Sequence, residues 1–176
     1  MTLFKNIFLF TLLITISHTV EGHGPSRQKV SEKIEINAPS AKVWELVKNF
    51  QAFNWNSNVK SVNANGNEIG SERELKFSNG ELVKQKLEKI NEEKKFVQWR
   101  IIETDNKILP VNSYAAKIFV KNQSDGSTEV NYKAGFYRGF MGNDPPEELN
   151  DENSKKKVSN FIINSLKGLK NIAEKK

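Results

Sequence analysis

The stretch GFYRGFMGNDPPEELND, residues 135–151, sets two phenylalanines, a tyrosine and an arginine ahead of a double proline and an acidic run. Its reading decides the architecture, because an aromatic strand has to end here and a helix has to begin. Gly139 and Gly142 loosen the chain, Asp144 can cap, and Pro145 and Pro146 suit a first helical turn that has no use for N–H donors. Glu147, Glu148, Asp151 and Glu152 then lie near the positive end of a helix, and Lys167, Lys170, Lys175 and Lys176 near its negative end. Val158, Phe161, Ile162, Leu166, Leu169 and Ile172 recur at three- and four-residue steps, an apolar stripe to lay on a sheet. The carboxylates read as helix electrostatics rather than as an acid/base pair.

Upstream, Val130, Tyr132, Ala134 and Phe136 alternate with Glu129, Asn131 and Lys133, the period-2 pattern of a half-buried strand. Asn79-Gly80 and Asp125-Gly126 are hairpin dipeptides between alternating runs, so the middle of the chain reads as an antiparallel meander of six strands. Val30, Ile34 and Ile36 mark a first strand. Pro39 opens a short helix carrying Val43, Leu46, Val47 and Phe50 at helical spacing. Together these give an α+β domain in which a curved antiparallel sheet wraps a long C-terminal helix.

Lys5 precedes an apolar run from Ile7 to Ile16, followed by Ser17, Thr19 and Gly22. Such a run falls short of the roughly twenty residues that span a bilayer. Residues 1–22 therefore read as a secretory signal peptide cut between Thr19 and His23. Residues 23–176 are left as a single domain with no membrane span. The chain of 176 residues has no cysteine, which removes thiol nucleophiles and cysteine metal sites, and it carries a formal net charge of +6. Lys5 and Glu21 cancel, so the charge stays with the mature part, and an acidic protein surface suits it better than nucleic acid does. Of the two histidines, His18 lies in the leader and His23 at the mature start, so a histidine triad or a two-histidine metal site cannot be built. Neither a metal nor a cofactor is expected.

Four segments carry a resemblance. INAPSAKVWELVKNFQAFNWN, GSERELKFSNGELVKQKLEKI, LPVNSY and GFYRGFMGNDPPEELNDE resemble motifs of the SRPBCC superfamily, the START, Bet v 1-like and polyketide cyclase-like proteins. The resemblance implies a helix-grip fold with two short helices after the first strand. With HGPSRQKV and the exported start, the chain is similar to the MxaD-like branch, periplasmic proteins associated with methanol oxidation. That branch implies a non-enzymatic accessory role beside methanol dehydrogenase or its cytochrome acceptor. The alternatives are a carrier or sensor of a small hydrophobic or anionic ligand, and then an enzyme of cyclase or hydrolase type. Where the family pattern has Trp-His-Pro, this chain has Trp55-Asn56-Ser57, so a role resting on that histidine does not transfer.

Strand parity selects the residues of a cavity. Arg73 shares parity with Leu75 and Phe77, Gln85 with Val83 and Leu87, and Glu103 with Val97, Trp99 and Ile101. Arg73, Phe77, Gln85, Trp99, Tyr114, Tyr132 and Phe136 are expected on one concave face, with Trp55 and Phe140 at its mouth. A buried guanidinium needs a partner, either Glu103 or Glu81 or the anionic group of a ligand. Tyr137, Arg138 and Met141, in the aromatic turn, are the expected partner-binding residues, because Tyr, Arg and Met are enriched at interface cores.

Overall fold

The computed structural model describes residues 24–175; residues 1–22, expected to be a signal peptide, and His23 lie outside them. The order is β1 (Gln28–Ile36), α1 (Ser40–Lys48), β2 (Val59–Ala64), β3 (Glu72–Phe77), β4 (Leu82–Asn91), β5 (Phe96–Thr104), β6 (Val111–Asn122), β7 (Thr128–Arg138) and α2 (Asp151–Ala173). Hydrogen bonding joins the strands into one antiparallel sheet in the order β1-β7-β6-β5-β4-β3-β2. This is the helix-grip arrangement. Gly80 and Gly126, at φ 90° and 86°, supply the left-handed residue that the Asn-Gly and Asp-Gly turns require.

The stripe on α2 packs against β1 and β7, burying Val158, Phe161, Ile162, Leu166 and Leu169. The sheet contributes Leu75, Val83, Leu87, Trp99, Ile118, Val130, Tyr132 and Phe136 to the same core. Among the described residues no helix is long and apolar enough to cross a membrane.

Two local expectations are corrected. Helix α2 begins at Asp151 and not at Pro145, because Asn150, with extended backbone, accepts the N–H of Asn153 at 2.8 Å and is the cap. The two prolines instead lead into a single 3-10 turn, Glu147–Leu149. Between β1 and β2 only α1 is helical. Residues 49–58 form turns, held by Asn56, whose amide donates to Phe161 O at 3.2 Å and Ser165 Oγ at 2.7 Å. A second short helix would have to withdraw that amide from α2.

Candidate ligand-binding site

Arg73 enters the interior from β3, 3% exposed. Its Nε donates to Gln85 Oε1 at 2.7 Å and its Nη1 to the Phe50 carbonyl at 3.1 Å. The rings of Phe50, Phe53 and Trp99 surround the guanidinium, their centroids 4.1, 4.4 and 5.1 Å from Cζ. Aromatic faces attract a cation, which offsets part of the cost of its dehydration. Among the described residues no carboxylate joins it, so neither Glu103 nor Glu81 is its partner. Glu103 pairs with Lys84 at 2.7 Å on the outer face, and Glu81 with Lys107 at 3.8 Å.

A β-bulge is the reason. Lys84 pairs with Glu103 and Gln85 with Ile101, so Ile102 is an extra residue in β5 and parity reverses beyond it. Glu103 therefore points to solvent although it is two residues from Ile101. A second bulge, where Ser113 takes φ 49°, lets Val111 and Tyr114 both face inward.

Three donors in this cluster have no acceptor among the described residues: Arg73 Nη2, Gln85 Nε2 and Trp99 Nε1. Leaving a buried donor unpaired costs about 1–3 kcal/mol, and more for a charged one. Trp99 stacks edge-on to Tyr132 at 5.5 Å, and the Tyr132 and Tyr114 hydroxyls lie 3.4 Å apart. Phe136 stacks on Tyr114 at 6.1 Å. Burial pushes both phenols up, Tyr114 well above the ordinary range, so at neutral pH they remain O–H donors. Burial lowers the Arg73 guanidinium to about 9, which leaves it charged at neutral pH. The interior is thus rich in donors, positively charged, and short of a group that accepts a proton near neutrality. It suits holding an oxyanion or carbonyl better than taking a proton.

Between the β3–β4 turn, the segment after β5 and the middle of α2, a surface pocket of about 470 Å³ is lined by Asn58, Phe77, Asn79, Ile108, Phe161 and Asn164, among others. Phe161 stacks on Phe53 at 5.9 Å and tilts against Phe77 at 6.2 Å, so aromatic rings stand between this pocket and Arg73, which lies over Phe53.

Not every expected site residue belongs here. Trp55 is buried beside Phe53 and donates Nε1 to Ala52 O at 3.1 Å, a core role rather than a mouth one. Phe140 is 37% exposed on the turn after β7, outside the interior. Arg138 is withdrawn from any partner surface. It donates to Phe140 O at 2.8 Å, to Gly142 O at 2.6 Å and to Asp151 Oδ2 at 3.2 Å. Tyr137 is half-buried on the outer sheet face under the Arg27 guanidinium, and Met141 is 51% exposed. Strand parity does not reach Phe53, Phe161 or Asn56, which come from turns and the helix. Among the described residues no three His, Cys, Asp or Glu side chains cluster as a metal site needs.

The model of the family described as polyketide cyclase / dehydrase and lipid transport matches residues 27–174, which include the whole of the sheet and α2. The chain belongs to this family. No curated protein matches it. Among solved structures, an uncharacterized protein from Bacillus thuringiensis is 21% identical, covering 84% of this chain and 100% of its own, with a TM-score of 0.70. The protein XoxI from Bacillus cereus is 20% identical over 82% of this chain and 94% of its own, with a TM-score of 0.69. The Zhui aromatase/cyclase from Streptomyces sp. R1128 is 14% identical over 85% of this chain and 94% of its own, with a TM-score of 0.68. At these identities the likeness is one of fold.

Proposed function

We propose that this family member binds and carries a small molecule with an apolar body and an anionic or carbonyl oxygen at one end. The observation that carries this reading is the set of unpaired donors on Arg73, Gln85 and Trp99 around a buried positive charge. A ligand oxygen accepts from such donors, whereas an apolar filling leaves them unpaired. The ligand enters at the pocket outside Phe161 and Phe77, and rotation of the Phe161 ring admits its polar end. The family description spans turnover and transport, and a donor cluster without a nearby base favours transport. The test is fluorescence titration with anilinonaphthalene sulfonate, an apolar anion, against the uncharged phenylnaphthylamine. Wild type should prefer the anion, Arg73→Met should lose that preference, and equal binding of both dyes to both proteins refutes the reading.

A second reading, an exported accessory of methanol oxidation, is favoured by the exposed Phe140 and Met141 on one turn. Exposed apolar side chains next to a buried arginine clamp form a small rigid contact point. Adding the protein to methanol dehydrogenase and its cytochrome acceptor should speed electron transfer, with Met141→Glu inactive; an unchanged rate removes this reading and leaves the first.

A further inference from the structure

On the outer face of the sheet, strand pairing sets side chains in transverse rows. One row runs Gln98, Lys117, Lys133, Ser31, and the next runs Arg100, Ala115, Gly135, Lys29. Lys117 and Lys133 oppose each other directly, and neither forms an ion pair among the described residues. Their ammonium groups lie over the Phe96 and Phe119 rings at 5.8 and 5.7 Å instead. Like charges directly opposite destabilise a sheet, so this pair costs the free protein stability. Other cations of this face are paired: Lys84, Lys86 and Arg100 each meet a carboxylate, as does Lys33 further along β1.

Between the lysines the surface sinks. Ala115, Gly135 and Ser31 are too short to reach the level of their neighbours, and a trough of about 460 Å³ opens, rimmed by Arg27, Lys29, Lys117 and Lys133. Arg27 lies across Gly135, where even a Cβ would stand 3.0 Å from Nη2. A cationic rim over an apolar floor selects an occupant that is negative and protrudes. A flat bilayer would touch the rim and miss the floor, and the large exposed apolar side chains that could anchor a membrane, Ile69, Ile102, Phe140 and Met141, lie elsewhere. A polypeptide segment can lay carboxylates on the rim while its backbone and methylenes fill the floor.

We infer that this trough docks an acidic segment of a partner protein. The inference stands apart from the interior site and needs no ligand there. Poly-L-glutamate is the probe, titrated at low and physiological salt beside vesicles of anionic phospholipid. It should bind, and weaken as salt rises, because exposed charges are screened. Lys117→Glu with Lys133→Glu should lower affinity about tenfold or more. The control pair Lys60→Glu with Lys76→Glu, exposed elsewhere on the sheet and equal in net charge change, should leave it within about twofold. Ala115→Phe fills the floor, keeps every charge and should also abolish binding. Lys133→Glu alone should raise the melting temperature while weakening docking, the mark of charges kept at a cost. No poly-L-glutamate binding, equal loss in the control pair, or binding to vesicles only would each overturn the inference.

Discussion

Arg73 and Arg138 are both buried, and they show how one residue type serves two ends. Arg138 has every neighbour it needs: two carbonyls and Asp151 fix it at the junction of β7 and α2. Lysine lacks the planar fork, so Arg138→Lys should destabilise the fold by about 3 kcal/mol in chemical denaturation. Arg73 is left with an unused N–H, and its replacement has a different signature. Arg73→Met removes a buried charge but orphans Gln85 Oε1 and the Phe50 carbonyl, so stability should stay within about 2 kcal/mol of wild type while anion binding is lost. The pH dependence has a definite sign. Burial lowers Arg73 from 12.5 to about 9, so the folded state binds its proton less readily than the unfolded one. This group's contribution to the stability of the free protein therefore rises as pH climbs above about 9. Anion binding needs the charge and should fall over that same window. A binding profile that stays level through it would show that Arg73 keeps its proton there, and Arg73→Met then decides whether it is the anchor.

At the scale of elements, the fold turns on how α2 meets the turns at residues 49–58. Asn56 reaches Phe161 and Ser165 on the helix, and one turn further along Gly168 lies against the Trp55 carbonyl. A methyl group at 168 would land on that carbonyl, so the turn could not dock as it does. Glycine inside a helix costs about 1 kcal/mol relative to alanine, which makes Gly168→Ala a clean contest. Steric overlap should win, lowering stability by about 3 kcal/mol in spite of the better helix propensity. A stabilised variant would mean that the contact is not tight. The far end of α2 is tied to β1, where Glu174 accepts the Asn37 N–H at 2.7 Å, which holds its carboxyl below the usual range. That tie is present above the ordinary carboxylate pKa and is lost as pH falls through the lowered one. Amide exchange at Asn37 should accelerate there, and in Glu174→Gln at neutral pH.

At the scale of the whole molecule, the two faces of the sheet have separate work. The concave face grips α2 around a donor-rich centre, and the convex face pairs most of its cations but leaves Lys117 opposite Lys133. Export is the prediction that belongs here: the protein recovered from the periplasm should have lost Met1 to at least Thr19, and intact mass retaining the Ile7–Ile16 run would refute it. Much of this molecule was legible in its residues because the signals are local. Hairpin dipeptides, period-2 strands from Val130 to Phe136 and the stripe from Val158 to Leu169 depend on neighbours a few positions away. They sufficed for the order of elements along the chain, the long helix and the inward parity of Arg73, Gln85 and Trp99. What they could not carry was set by pairing across the sheet. The extra residue at Ile102 reverses the face of Glu103, and only the register of β4 against β5 reveals it. The inward turn of Arg138 depends on carbonyls that converge after folding, whereas the late start of α2 rests on a local choice of cap, Asn150 instead of Asp144. The sequence alone thus determined which elements form; the tertiary structure decided which charges meet, because a partner across a sheet lies close in space and far along the chain.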